Sequence, residues 1–110
     1  MNDLTSLQEL DALVAAPGAL VLYKHSTQCG MCDTAISEVE AFEKQHPAVP
    51  VHYLDLLAHR DVSNAVASKL GIRHESPQAI VLKDGKVAGV LNHRKIRAAE
   101  LSVLISASQK

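Results

Sequence analysis

Residues 19–32 read Ala-Leu-Val-Leu-Tyr-Lys-His-Ser-Thr-Gln-Cys-Gly-Met-Cys, and this stretch decides how the chain folds. Its first five residues, from Ala19 to Tyr23, are apolar and partly β-branched, which is typical of a short buried strand. After the cysteines, apolar side chains recur at helical spacing with acidic residues between them, at Ala35, Ile36, Val39 and Phe42. The two cysteines, Cys29 and Cys32, therefore lie where a strand passes into a helix.

This position favours thiol chemistry. The unpaired N–H groups and the positive end of the dipole at a helix N-terminus stabilise a thiolate. The pKa of a thiol there commonly falls from about 8.5 to between roughly 3.5 and 7.5. Cysteines one helical turn apart can also close a disulfide after modest local adjustment. We expect Cys29, nearer the helix tip, to be the nucleophile and Cys32 the resolving thiol, with Asp33 opposing part of the thiolate stabilisation.

Length and composition predict one soluble domain. The chain has 110 residues, 47% of them hydrophobic, which is enough for a core without metal or disulfide scaffolding. A net charge of −1 with no basic block argues against binding nucleic acid. The N-terminus lacks the basic region of a secretion signal, and the apolar stretch from Leu13 to Tyr23 is too short to span a bilayer. We expect a cytoplasmic monomer with no membrane partner, whose cysteines serve catalysis or metal binding.

The periodicity of the chain predicts the element order α-β-α-β-α-β-β-α. Helices are expected at about 4–14, 29–46, 61–70 and 96–105, and strands at about 19–24, 50–56, 78–82 and 86–91. Strands joined through helices pair in parallel with right-handed crossovers, whereas the last two strands form an antiparallel hairpin. A C-x-x-C after the first strand of this pattern is typical of a thioredoxin-like redox domain. We therefore predict an α/β, thioredoxin-like fold over residues 1–110, with a central mixed four-stranded sheet flanked by helices.

Local signals mark the ends of the predicted helices. The segment Thr5-Ser6-Leu7-Gln8 matches a capping box for the first helix, with Asn2 or Asp3 as alternative caps. Asp61 is suited to cap the third helix, and Gly71 to end it in a left-handed conformation.

Two later segments complete the predicted fold. Pro77 opens the strand after the third helix, where the fold plan allows a cis bond that lies against the cysteines. The segment Lys83-Asp84-Gly85-Lys86 predicts a tight hairpin turn, because Asp-Gly favours turns that suit twisted strands.

Three segments resemble a known family: His25-Ser26-Thr27-Gln28-Cys29, His74-Glu75-Ser76-Pro77-Gln78-Ala79-Ile80 and Asn92-His93-Arg94-Lys95-Ile96. They resemble the monothiol-type bacilliredoxins, which are redox proteins of the bacillithiol system in low-GC Gram-positive and some other bacteria. The resemblance covers nearly the whole chain, and its most specific part is His-Glu-Ser-Pro-Gln. It implies a fold similar to thioredoxins and glutaredoxins, removal of bacillithiol from mixed disulfides on cytosolic proteins, Cys29 as the attacking cysteine and Pro77 as the cis-proline beside it.

The chain also departs from these relatives. The common bacilliredoxin motif is Cys-Pro-Ile-Ser, without a second thiol, whereas this chain has Cys29-Gly30-Met31-Cys32. Compared with thioredoxins, Gln28 replaces the usual Trp and Met31 the usual Pro. Tyr23 stands where thioredoxins keep a buried carboxylate that assists the buried thiol, and a phenol with a reference pKa of about 10 is a poor substitute.

Further residues are expected to contact the substrate. Gly30 and Met31 lie between the cysteines, and Ser76 precedes Pro77; Met31 is suited to apolar contact with partner proteins. One of the histidines predicted at this end of the sheet can stabilise the thiolate or bind an anion, with His25 and His74 ahead of His93. By the resemblance alone, the carboxylates of the malate group of bacillithiol would meet Arg73, Arg94 and Lys95.

These observations lead to several functional hypotheses. The first is thiol–disulfide exchange on bacillithiolated or disulfide-bearing cytosolic proteins, with bacillithiol as a co-substrate, no bound cofactor and a separate reductase. The second is a general thioredoxin-type dithiol reductase that uses no bacillithiol. The third is a non-catalytic metal or iron–sulfur protein, in which His25 and His74 would complete a site begun by two thiolates. A redox sensor that records oxidation through a Cys29–Cys32 bond is the fourth.

Overall fold

The computed structural model describes residues 1–27 and 30–108, with the side chain of Met31 left aside. Its strands are β1 (Asn2–Asp3), β2 (Ala19–His25), β3 (Val51–Asp55), β4 (Gln78–Lys83) and β5 (Lys86–Asn92). Its helices are α1 (Leu7–Ala15), α2 (Gly30–Gln45), α3 (Arg60–Leu70) and α4 (Ala98–Ser108), and a 3₁₀ turn spans His93–Lys95. No helix in this described part of the chain is both long and apolar enough to cross a membrane.

The strands form one mixed sheet in the order β1-β3-β2-β4-β5. The central strand, β2, pairs in parallel with β3 and antiparallel with β4, and β4 and β5 form the predicted hairpin. The predicted fold class is therefore confirmed, but the sheet has five strands rather than four. The additional strand, β1, is two polar residues long and pairs with His52 and Tyr53 at the edge of the sheet. Leu4, only 2% exposed, anchors this segment in the core.

The sheet separates two apolar clusters, because alternate residues of each strand point to opposite faces. Val21 and Tyr23 of β2 face a cluster with α2 and α4 that includes Val39, Phe42, Leu101 and Ile105. Leu20 and Leu22 face a second cluster with α1 and α3 that includes Leu10, Val62 and Val66. The central strand is buried on both faces, which explains why its sequence is a continuous apolar run rather than an alternating one.

Local capping residues set the start of α1, whereas the start of α3 depends on a residue that lies further back in the chain. Ser6 caps α1 by accepting a hydrogen bond from the Glu9 backbone N–H, so the box is Ser6-x-x-Glu9 and lies one residue later than predicted. The prediction that Asp61 caps α3 is wrong: the cap position is His59, and Asp61 lies in the first turn. The Asp55 carboxylate accepts hydrogen bonds from the backbone of Leu57 and Ala58, which turns the chain before Asp61 is reached.

The predicted turns are confirmed by their backbone conformations. Gly71 ends α3 with a φ of 64°, and the next N–H, that of Ile72, donates to the Ala67 carbonyl. In the hairpin turn, Asp84 and Gly85 both have positive φ, 52° and 79°, as tight turns between twisted strands require.

Lys24 is an exception to the apolar interior. It lies on β2 next to Tyr23, points to the α3 face and is 0% exposed. Its Nζ donates hydrogen bonds to the Ser63 carbonyl and to Nδ1 of His74, both at 3.2 Å. Burial disfavours the charged ammonium and lowers the pKa of Lys24 to about 8. The interaction links the central strand to the loop that follows α3.

Gln78 makes a second link to the same loop. It pairs with Lys24 across β2 and β4 and is also 0% exposed. Its Nε2 donates to the Arg73 carbonyl at 2.9 Å and to Oδ1 of Asn92 at 3.0 Å. Its Oε1 is buried and has no hydrogen-bond partner among residues 1–27 and 30–108. Two buried polar side chains therefore fix residues 73–74, just before the predicted proline loop.

We expect Lys24→Met to remove a pH dependence of stability. The pKa of Lys24 is about 8 in the folded state, against about 10.4 in an unfolded chain. Between these values the unfolded state binds more protons, so the free energy of unfolding rises with pH. The rise attributable to Lys24 between pH 7 and 10 should be on the order of 2–3 kcal/mol. Urea unfolding of wild type and variant at pH 7, 8, 9 and 10 measures it.

The matched control is Lys86→Met, which removes an exposed lysine at the other end of the sheet. This variant should keep the wild-type dependence on pH. If Lys24→Met shows the same rise as wild type, the buried ammonium does not set the pH dependence of stability in this range.

Candidate active site

Cys32 lies in the first turn of α2 and is fully buried. Its Sγ lies 4.0 Å from Oγ of Ser76. Gly30, the first residue of α2, is exposed, and a Cβ built on it would meet no atom within 4 Å. Cys29, the predicted nucleophile, lies outside the described residues, as does Gln28; it directly precedes Gly30 in the sequence. The prediction for the Met31 side chain is likewise outside what is described.

The loop that carries Ser76 and Pro77 reaches the first turn of α2. The Ser76–Pro77 peptide bond is cis, Pro77 is buried, and Ser76 is half-buried. The contact between Ser76 and Cys32 joins residues 44 positions apart, so the fold brings together two of the predicted site residues. A serine hydroxyl can donate a hydrogen bond to a thiolate sulfur, which gives this contact a chemical role.

His93 holds the proline loop from the side of β5. Its backbone N–H donates to the Pro77 carbonyl at 3.0 Å, and its Nε2 lies 3.1 Å from Oε2 of Glu75. The φ of His93 is 55°, a left-handed conformation that non-glycine residues adopt rarely and that clusters at functional sites. Together with the contacts of Lys24 and Gln78, these bonds fix the loop from three separate elements.

His25 is the last residue of β2, one residue beyond the predicted end of this strand. It is 6% exposed, and its ring lies 5.6 Å from the Tyr23 ring and 5.4 Å from the Tyr53 ring, measured between centroids. Burial lowers the pKa of His25, and the nearby carboxylates of Asp55 and Asp33 oppose that shift only in part. The imidazole is therefore favoured in its neutral form at pH 7.

Tyr23 connects His25 with the first turn of α2. Its hydroxyl donates to the Cys32 carbonyl at 3.4 Å and lies 2.9 Å from Nδ1 of His25. The Tyr23 hydroxyl therefore links the His25 ring to the backbone of the first turn of α2. Tyr23 occupies the position of the thioredoxin carboxylate, but these bonds engage it with the Cys32 backbone.

His74 lies on the other face of the sheet. Its Nδ1 accepts the hydrogen bond from Lys24, whose side chain points away from the face of its neighbour His25. Burial, the Lys24 cation and Arg60 lower the pKa of His74, while Glu75 opposes the shift. His25 and His74 are therefore not brought together as the metal hypothesis requires. The described ranges 1–27 and 30–108 contain no group of three histidine, cysteine or acidic side chains that could hold a metal.

A cleft of about 490 Å³ opens beside the start of α2. Its walls are the exposed and half-buried side of α2 and the segment after β5, and it is lined by Gly30, Thr34, Ala35, Glu38, His93, Arg94, Ile96 and Arg97. Lys95 lines an adjoining cleft of about 470 Å³ together with His93 and Arg94.

Only two of the three cations that the resemblance suggested as carboxylate contacts line these clefts. Arg94 and Lys95 line the clefts, whereas the Arg73 side chain is 91% exposed and lies 3.6 Å from the Glu75 carboxylate on the loop surface. Arg97 was not predicted as a site residue, because a single charged residue before a terminal helix is ordinarily a solvent-exposed charge and does not indicate a binding site. Only the turn at His93–Lys95 brings it beside Arg94 on the cleft.

Solved structures with the same fold support the architecture. A proposed oxidoreductase with a thioredoxin fold superposes with a TM-score of 0.87 at 24% identity, covering 94% of this chain and 91% of its own. Thioredoxin from Fasciola hepatica gives 0.77 at 22% identity, covering 98% and 99% of the two chains. Mitochondrial thioredoxin 3 from Saccharomyces cerevisiae, in its oxidised form, gives 0.78 at 20% identity, covering 97% and 94%. The protein therefore has a thioredoxin fold.

The family is identified by a match between the sequence and a protein-family model. A family model described as monothiol bacilliredoxin BrxC matches residues 2–101. The matched range contains both cysteines, the Ser76–Pro77 loop and the residues that line the cleft. The chain belongs to the monothiol bacilliredoxin BrxC family of thiol redox proteins.

Proposed function

We propose that the protein is a thiol–disulfide oxidoreductase that removes bacillithiol from mixed disulfides on cytoplasmic proteins. Membership of the bacilliredoxin family supports thiol redox chemistry. The observation that carries the proposal is the buried Cys32, in the first turn of α2 and 4.0 Å from the hydroxyl of Ser76 in the cis-proline loop. Bacillithiol is the co-substrate, and the protein partners are bacillithiolated or otherwise disulfide-bearing.

In the first step, the thiolate of Cys29 attacks the bacillithiol sulfur of the mixed disulfide. A bond forms between this sulfur and Cys29 Sγ, and the bond to the target protein breaks. The target cysteine leaves with the electron pair and takes up a proton. The disulfide has moved to Cys29, so this step needs no further oxidant or reductant.

In the second step, the thiolate of Cys32 attacks Cys29 Sγ. Bacillithiol leaves as a thiolate, and a Cys29–Cys32 disulfide remains. A dithiol reductant then supplies two electrons and two protons to restore both thiols. Cys32 must lose its proton in a buried position, where charge is costly, and the Ser76 hydroxyl is placed to donate to the thiolate.

The substrate side is organised by Gly30 and the proline loop. Gly30 is exposed, and a Cβ built on it would meet no described atom within 4 Å, so Gly30 itself does not obstruct a target chain that approaches the start of α2. Backbone groups beside Pro77 would align the target as a short added strand. The hydrogen bond from His93 to the Pro77 carbonyl holds that loop in place for it.

Trapping the intermediate tests this function directly. Reduced wild type, Cys29→Ser and Cys32→Ser are each mixed with a bacillithiolated protein and analysed by mass spectrometry. Cys32→Ser should accumulate one bacillithiol adduct on Cys29, because nothing resolves it. Wild type should end as an internal disulfide, and Cys29→Ser should not react.

Other outcomes would separate the alternatives. Full activity of Cys29→Ser would refute the proposed nucleophile. If wild type also stops at the adduct, Cys32 does not resolve it, and a second small thiol must finish the cycle. If wild type ignores bacillithiolated protein but reduces insulin, the function is that of a general dithiol reductase.

The role of Ser76 gives a kinetic prediction. Ser76→Ala should slow release of bacillithiol from the Cys29 adduct by about 3- to 10-fold, because the Cys32 thiolate loses a hydrogen-bond donor. Formation of the adduct should keep its wild-type rate. Stopped-flow mixing with quenched mass spectrometry measures both steps.

Ser106→Ala, on the exposed side of α4, is the control and should leave both rates unchanged. A Ser76→Ala variant that slows adduct formation but resolves normally would place Ser76 in substrate binding instead.

A further inference from the structure

The cleft beside the start of α2 has the size of a small-molecule site. Its volume of about 490 Å³ lies within the range of roughly 300–1,000 Å³ that is typical of ligand pockets. It begins at Gly30, the residue that follows Cys29, and extends along α2 to Glu38. In the sequence, the cleft therefore begins one residue after the proposed nucleophile.

The far wall of the cleft carries cations without ionic partners. Arg94 and Arg97 are exposed, and within residues 1–27 and 30–108 no carboxylate lies within salt-bridge distance of either guanidinium. Lys95 adds a third cation in the adjoining cleft. Glu38 is the acidic residue on the opposite wall, and its Oε1 is engaged by the Ala98 backbone N–H at 3.1 Å, at the start of α4. The wall after β5 therefore presents unpaired positive charge to the cleft.

This cationic wall is held in register with the proline loop. His93 immediately precedes Arg94, and both its backbone N–H and its ring bond to the loop, at Pro77 and Glu75. Its backbone is left-handed, and the residues after it line both the cleft against α2 and the adjoining cleft beside Val90 and Asn92 of β5. The backbone that leads to the two arginines is thus tied to the loop whose Ser76 lies 4.0 Å from the Cys32 sulfur.

We propose that this cleft binds the carboxylates of the small thiol, with Arg94 and Arg97 as its specificity-determining residues. The inference rests on the proposed function, since the ligand is bacillithiol held on Cys29 or arriving as a mixed disulfide. A guanidinium binds a carboxylate through two parallel hydrogen bonds, and two arginines match the two carboxylates of the malate group. Arg73 takes no part, because it pairs with Glu75 outside the cleft.

The experiment compares two leaving thiols on one target peptide. The peptide is prepared as a mixed disulfide with bacillithiol, and separately with 2-mercaptoethanol, which carries no charge. Arg94→Gln, Arg97→Gln and the double variant are measured against wild type by kcat/KM on each substrate. Lys86→Gln removes an exposed cation at the opposite end of the sheet and is the matched control.

The double variant should lose at least about tenfold in kcat/KM on the bacillithiol substrate, the cost of about one charge-assisted interaction. On the 2-mercaptoethanol substrate it should stay within about twofold of wild type, and Lys86→Gln should match wild type on both. Equal losses on both substrates, or no loss on either, would overturn the proposed carboxylate site.

A binding measurement keeps this inference separate from the proposed function. S-methyl bacillithiol cannot exchange, and it is titrated into the reduced protein while backbone amide shifts are followed by NMR. Shifts at Gly30, Thr34 and Arg97 that vanish in the double variant would support the site even if wild type failed to process bacillithiolated protein. No shifts in wild type would overturn the site, whereas binding without turnover would refute only the proposed function.

Discussion

The burial of β2 on both faces is the constraint on which the site depends. A strand covered by helices on both sides sends successive side chains into different environments. At its carboxyl end, Tyr23 and His25 face α2, and Tyr23 bonds to the backbone of Cys32. Lys24, between them, faces α3 and bonds to His74 in the loop before Pro77. Three consecutive residues therefore support the thiol-bearing helix from one face and the proline loop from the other.

This arrangement places polar side chains in the interior, where apolar side chains would destabilise the folded state less. A buried ammonium on Lys24 and a buried amide oxygen on Gln78, which has no partner among the described residues, each oppose folding. Both side chains donate hydrogen bonds to the loop before Pro77. The same loop contacts Cys32 through Ser76, and its Pro77 carbonyl accepts a hydrogen bond from His93. Fixing one loop from three elements explains why polar side chains occupy these interior positions.

The sequence allowed the order of the main elements and the glycine turns to be predicted, because apolar runs, helical spacing and positive-φ glycines are local signals. The features it did not reveal depend on contacts between distant residues. β1 is two polar residues that pair only through their backbone, and α3 begins early because Asp55 turns the chain. From its position at the end of a strand, Lys24 would be expected to be solvent-exposed. In the structure, α3 and the loop that follows it bury the side chain. Arg97 is recognised as a cleft residue only from the turn that places it beside Arg94.

The second cysteine, Cys32, sets this chain apart from the monothiol description of its family. A thiol in this buried position needs nearby polar groups if it is to react as a thiolate. In a thioredoxin the corresponding position to Tyr23 holds a carboxylate that assists the buried thiol. Here the Tyr23 hydroxyl donates to the carbonyl of Cys32 and lies 2.9 Å from Nδ1 of His25, so it helps to fix the helix turn. Ser76 contacts the Cys32 sulfur, and it belongs to the loop that also binds the wall of the cationic cleft through His93. In the proposed mechanism, resolution by Cys32 and recognition of the small thiol would therefore both depend on this loop, which carries the Ser76 hydroxyl and binds His93 next to Arg94.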